Sequence, residues 1–324
     1  MNPPEIVASI AELRGRIAAW RSAGARIGLV PTMGALHAGH LALTGAIRAR
    51  AERVVATVFV NPAQFAPHED FDRYPRDLAA DAAKLAGKAD LIFAPAVREM
   101  YPDGFATRIE VGGPSDGLET DFRPHFFTGV ATVVAKLLIA AMPDVAIFGE
   151  KDYQQLLVIR RLVADLRLPV EILGAPIVRE ADGLAMSSRN AYLDPEERRI
   201  AGQMNLVLKD CVSRLDSGET IAAVERLGRE RLLEAGFASV DYFAVRDAET
   251  LARIETVARP ARILAAAKIG GTRLIDNMDY HPPLEGGSND EAQRNRSGRG
   301  QPPPAKNPSS KFAEQISTLP QGEG

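Results

Sequence analysis

The chain has 324 residues, 46% of them hydrophobic, and carries 39 Lys and Arg against 42 Asp and Glu for a net charge of −3. That is the composition of an ordinary globular protein with room for roughly two domains, and it offers no overall basic field to attract nucleic acid. One cysteine, Cys211, excludes an internal disulfide framework, and no run reaches the ~18 consecutive apolar residues of a membrane span.

The opening MNPPEIVASI has no basic segment leading into an apolar core, so it makes a poor secretion signal and the cytoplasm is the expected location. Apolar runs bounded by Gly or Pro then alternate with helical patterns. Ala25–Pro31 and Arg53–Pro62 read as strands apolar on both faces, and Ala89–Pro95, Asp144–Glu150 and Pro169–Pro176 repeat the pattern. Between them, Val130, Val133, Val134, Leu137, Leu138 and Ala141 share the face of one helix. This alternation predicts an α/β domain over 1–177, a Rossmann-like parallel sheet with helices on both faces and a ligand site beyond the carboxyl ends of its strands.

From 178 to 280 the pattern becomes α+β. Helical stretches at Pro195–Asp216 and Thr220–Ala235 precede strands at Val240–Val245, Arg262–Ile269 and Thr272–Asp276, which suggests a smaller C-terminal lid domain. Residues 281–324 hold few large apolar residues and read as a disordered tail.

The segment with most chemical content leaves the first strong strand and enters a helix: Pro31-Thr32-Met33-Gly34-Ala35-Leu36-His37-Ala38-Gly39-His40. Two of the chain's five histidines fall within four residues there. Gly34 and Gly39 permit tight turning, the helix N-terminus favours an anion, and imidazoles at that point donate to phosphate oxygens. The spacing by itself also fits metal ligands or satisfied loop residues. Lys151, in Gly149-Glu150-Lys151-Asp152, follows a strand and reaches phosphates or stands solvated. Asp152 caps a helix or binds ribose. Gln64 and Gln155 each follow a strand end on the expected active face, offering neutral donors and acceptors. Met186-Ser187-Ser188-Arg189 combines hydroxyls with a guanidinium fork suited to phosphate, or is a plain polar turn.

His37-Ala38-Gly39-His40 resembles the signature of the nucleotidylyltransferase superfamily, and the whole of Pro31–His40 resembles the pantoate–β-alanine ligase family. Val58–Phe65, Phe148–Gln155 and Met186–Asn190 agree in order and spacing, so the resemblance runs to about residue 280. It implies condensation of pantoate with β-alanine through a pantoyl-adenylate, using ATP and Mg²⁺ and releasing AMP and pyrophosphate, in a homodimer that binds neither nucleic acid nor membrane. ATP would lie on Met33 to His40, Gly149 to Asp152, Val178, Met186, Ser187, Ser188 and Arg189. His37, His40, Lys151, Ser187, Ser188 and Arg189 would act in catalysis, with Gln64 and Gln155 on the substrates. The protein ligands of Mg²⁺ stay unassigned, although Asp81 is a candidate. One departure stands out. The family's Arg-Pro-Gly-His-Phe is Arg123-Pro124-His125-Phe126-Phe127 here, so His125 inherits no role, and Arg123 either contacts substrate or pairs with an acid.

Overall fold

A computed structural model of the chain describes residues 3–67 and 69–283. The expected tail therefore lies, from residue 284 on, outside the described residues, as does His68. Six strands form one parallel sheet: β1 (Glu5–Val7), β2 (Ile27–Thr32), β3 (Arg53–Val58), β4 (Leu91–Phe93), β5 (Val145–Gly149) and β6 (Glu171–Ala175). Their order is β1-β4-β3-β2-β5-β6. Four of them fall within the apolar runs of the sequence, and β2 overlaps the first run and extends one residue past it, to Thr32. β1 was not foreseen, because three residues beside Pro3 and Pro4 carry too short a pattern to signal a strand.

Alternation along the strands explains the two-sided burial. Ile27, Leu29 and Val55 join one core with Val130, Val134 and Leu137, while Val30, Val54 and Ala56 join another with Leu43 and Ile47. The helix Phe126–Ala141 is more deeply enclosed than its single apolar stripe predicts, with 12 of its 16 residues buried. The reason lies in its neighbours. It packs against the sheet, against the helices Ile10–Ser22 and Tyr153–Asp165, and against the turn Pro62–Gln64.

The later residues build an antiparallel sheet of β7 (Ser239–Asp247), β8 (Ala261–Ile269) and β9 (Thr272–Tyr280), backed by helices Gln203–Asp216 and Ile221–Glu234. The helical stretch Pro195–Asp216 divides into two helices, Pro195–Ala201 and Gln203–Asp216, meeting at Gly202, where an added Cβ would stand 2.7 Å from the Asp182 carboxylate. The central strand β8 is buried on both faces. Ile263, Ala265 and Ala267 pack on the helices, and Leu264 packs with Leu118 and Leu157 of the parallel-sheet body. Each sheet has its own core, yet the chain through Pro282 forms one compact unit.

Candidate active site

β2 and β5 are neighbours, paired at Gly28–Val145 and Leu29–Ala146, but β2 leads to β3 on its other side. Loops leaving β2 and β5 therefore diverge and open a crevice at the carboxyl ends of the strands. A cleft of about 730 Å³ occupies that position.

The loop after β2 is fixed before any ligand arrives. Gly34 and Ala35 both take left-handed conformations (φ 82° and 50°), and the turn they make is held by Asp81. This carboxylate, 2% exposed, accepts the N–H groups of Ala35 at 3.0 Å and Leu36 at 2.8 Å. Lys84 closes the clamp by donating to the Leu36 carbonyl at 2.8 Å. The suggestion that Asp81 holds Mg²⁺ is thus corrected: both of its oxygens are occupied by backbone amides inside the fold. Among the described residues, no group of three or more His, Cys, Asp or Glu side chains is placed to hold a metal ion.

His37 stands at the N-cap of the helix Ala38–Arg48, and with His40 it forms a reciprocal cap. His37 Nδ1 accepts the N–H of Gly39 at 3.2 Å, and His40 Nδ1 accepts the N–H of His37 at 3.4 Å. A backbone N–H only donates, so both Nδ1 atoms are acceptors and each ring carries its proton on Nε2. The ring centroids are 4.1 Å apart. Gly39 is required between them because a Cβ would come within 2.9 Å of the His37 ring. Burial, and then the Lys151 ammonium, lowers the His37 pKa to about 4. Burial, and then His37, lowers that of His40 to about 3. Both rings are neutral hydrogen-bond donors near pH 7.

Beyond β3, the turn Pro62–Gln64 is pinned by Asn61, a residue that carried no signal of its own in the sequence. Asn61 is 1% exposed and donates to Gln64 Oε1 at 3.1 Å and to the Gly129 carbonyl at 3.2 Å, while accepting from the Tyr101 hydroxyl at 2.7 Å. Gly129 lets the helix come this close, since a Cβ there would stand 2.2 Å from the Ala63 carbonyl oxygen. The Gln64 amide reaches Met33 Sδ at 2.9 Å. Arg123 proves to be an acid-paired residue, bound to Glu69 and Glu119, and it also donates to the Gln64 carbonyl at 3.0 Å. His125 is exposed at the start of the helix Phe126–Ala141 and makes no side-chain cap.

Lys151 and Asp152 follow β5 and line the cleft, as does Gln155 one helical turn later. Its neighbour Gln154 is buried instead, bonded to the carbonyls of Pro114 and Gly117. Val178 and Met186, eight positions apart in sequence, meet across a short hairpin through the Met186 N–H and the Val178 carbonyl at 3.0 Å. Ser187 caps the next turn by accepting from the Arg189 N–H. Ser188 donates to the Ala35 carbonyl at 3.1 Å, and the Tyr74 hydroxyl lies 3.5 Å from its oxygen. The Arg189 guanidinium makes a two-pronged pair with Asp70 at 2.9 and 3.0 Å. Neither Asp70 nor Tyr74 carried a sequence signal, because both depend on contacts more than a hundred residues away. Of the expected nucleotide residues, Gly34, Ala35, Leu36, Ala38 and Glu150 do not line the cleft, whereas Met33, His37, Gly39, His40, Gly149, Lys151, Asp152, Val178, Met186, Ser187, Ser188 and Arg189 do.

Comparison with known proteins is consistent with this geometry. Residues 5–279 match the family model described as pantoate-beta-alanine ligase. The chain is 56% identical over 280 residues to a pantothenate synthetase of Mesorhizobium japonicum, covering 86% of this chain and 99% of that protein. It is 54% identical over 282 residues to the corresponding protein of Caulobacter vibrioides, with 86% and 99% covered. Among solved structures, a pantothenate synthetase from Thermus thermophilus aligns with a TM-score of 0.81 at 48% identity, covering 86% of this chain and all of that one. A pantoate-beta-alanine ligase from Francisella tularensis, complexed with beta-gamma ATP and beta-alanine, aligns with a TM-score of 0.71 at 32% identity, covering 85% and 97%.

Proposed function

The chain belongs to the pantoate–β-alanine ligase family, and from that premise we propose how its residues carry out the ATP-dependent, AMP-forming condensation of pantoate with β-alanine. The observation that carries this reading is the pair of neutral imidazoles, 4.1 Å apart at the switch point and close enough to Lys151 for its charge to be felt by both rings.

In the first step a pantoate carboxylate oxygen attacks the α-phosphorus of ATP, and the bond to pyrophosphate breaks. The Nε2–H groups of His37 and His40 donate to oxygens that gain charge as phosphorus becomes five-coordinate, and Lys151, Ser187, Ser188 and Arg189 take the remaining phosphate charge. In the second step the β-alanine amine attacks the acyl carbon, and the C–O bond to AMP breaks. The protein acts chiefly by alignment, with Gln64 and Gln155 holding the acid in line. Neutral amides suit that task, because a guanidinium clamp would hold the carboxylate but reduce its nucleophilicity. Phe59, Val130, Val134 and Phe148 line the same cleft and suit the geminal methyl groups of pantoate.

No protein cage for Mg²⁺ is offered by these residues, so the ion is assigned to ATP itself, entering as the metal–phosphate complex. We further propose a cytoplasmic homodimer and a lid-like role for residues 178–280. The absence, among the described residues, of any helix long and apolar enough to cross a membrane is compatible with that location. Supplying ATP, Mg²⁺ and pantoate and measuring pyrophosphate, then adding β-alanine and measuring AMP, tests the assignment. Pantoate-stimulated pyrophosphate followed by β-alanine-dependent AMP is the expected result. Stable nucleotide-linked pantoate that β-alanine leaves untouched would instead mark a nucleotidyltransferase that stops after the first step.

A further inference from the structure

We infer that Asn277, on the last strand of the antiparallel sheet, is a positioning residue for Lys151, an inference that rests on the phosphate-binding role proposed for that lysine. The turn from β5 into the helix Tyr153–Asp165 is a poor support for a catalytic side chain. Glu150–Asp152 is a single 3₁₀ turn, and neither it nor the following helix has a side-chain cap. What steadies it comes from elsewhere in the chain.

Asn277 is 2% exposed, and its Nδ2 donates to the carbonyl oxygens of Glu150 at 2.9 Å and Lys151 at 2.8 Å. Its Oδ1 accepts from Arg262 Nε at 2.7 Å, and its own N–H is bonded to the Asp276 carboxylate at 2.7 Å. The orientation of the amide is therefore fixed from both ends: a guanidinium only donates and a carbonyl only accepts. Arg262 extends the brace. It pairs with the Glu150 carboxylate at 3.2 Å and lies 4.0 Å from the centre of the Tyr153 ring. Two side chains of the smaller sheet thus hold three consecutive parts of the turn: the Glu150 and Lys151 backbone, the Glu150 carboxylate and the Tyr153 ring. The adjacent Asp276 grips Arg179, next to Val178, with bonds of 2.7 and 3.0 Å. Two adjacent residues in the middle of β9 therefore anchor segments on two sides of the cleft.

The test compares Asn277→Asp, Lys151→Ala and the double variant by pantoate-dependent pyrophosphate release. Asn277→Asp keeps the shape and the acceptor for Arg262 but turns oxygen toward two carbonyls. We expect release slowed about 10- to 100-fold at saturating ATP, the scale of a misplaced catalytic group, with KM for β-alanine unchanged. Because the residue acts through Lys151, the double variant is expected to be no slower than Lys151→Ala alone. Multiplicative losses in the double variant, or a parallel rise in KM for β-alanine, overturn the positioning role. Wild-type turnover in Lys151→Ala overturns the phosphate role of the lysine itself, an outcome separate from the first. Should Asn277→Asp not fold, Arg262→Lys, which keeps the charge but loses the Nε donor, is expected to slow release several-fold in the same Lys151-dependent manner. Unchanged release in Arg262→Lys overturns the brace.

Discussion

The turn of His37 and His40 and the turn of Ser187 to Arg189 face the same cleft, yet they are held by opposite means. The first is locked by contacts to its own backbone: ring nitrogens accept N–H groups, and the buried Asp81 carboxylate accepts two more. The second is held by groups that a phosphate can replace, since Arg189 lies in the two-pronged grip of Asp70 and Ser188 donates to a carbonyl oxygen. Carboxylate and phosphate present the same bidentate geometry to a guanidinium. On the roles proposed above, the histidine turn would be preorganised for the α-phosphorus, and the serine–arginine turn would exchange partners when the triphosphate enters.

Four measurements break or sharpen this contrast. The largest expected effect is from His40→Ala, which should lower the rate of pyrophosphate release on the order of 10²–10³-fold, the scale of one transition-state donor; near-normal turnover would remove the histidine turn from the chemistry. Next comes Asp81→Ala, which leaves two backbone donors without their carboxylate. A loss of about 2–4 kcal/mol in unfolding free energy is expected from denaturant titration, with adenylation slowed roughly 10-fold or more by the displaced turn. If stability drops while adenylation holds, the rigidity of that loop does not serve catalysis.

Asp70→Asn should act in the other direction. It frees Arg189 from its charged partner, so KM for ATP is expected to fall several-fold; a higher KM would mean that the pair holds Arg189 in its working position. The smallest effect concerns pH. Both imidazoles have folded pKa values, about 4 and about 3, below the ordinary 6.5. The unfolded chain therefore binds more protons than the native one as pH falls below 6.5, and stability declines from there toward pH 4. Replacing both histidines with glutamine should flatten that decline. Bound ATP, being anionic, raises both ring pKa values, so the acid limb of kcat should lie above that of kcat/KM for ATP. Coincident limbs would argue that the rings do not meet the phosphates.

The same contrast bears on residues 178–280. Asn277, Arg262 and Leu264 attach the antiparallel sheet to the turn and helix that follow β5. Any lid-like motion of residues 178–280 would therefore carry Lys151 with the sheet.

Much of this was legible from the chain alone. The five apolar runs each mark a strand of the parallel sheet, because burial on both faces forces near-continuous apolar sequence. The histidine pair, Lys151, Gln64, Gln155 and the Met186–Arg189 segment all reach one cleft, because loops that diverge where the strand order reverses open a single crevice at the carboxyl ends of the strands. Pairing was not legible. That Asp81 clamps the turn rather than a metal, that Arg123 is tied to Glu69 and Glu119, that Asp70 occupies Arg189 and that Asn277 braces Lys151 are decided by contacts between residues 45 to 126 positions apart, save for the helical neighbour Glu119. Periodicity and motif spacing record which face of an element is apolar and which residues can do chemistry. They carry no information about which distant group a carboxylate or guanidinium meets, because that depends on how the finished layers bring their loops together. The sequence determined the α/β architecture and the inventory of reactive groups; the tertiary structure decided which of those groups are occupied, neutral or held in place.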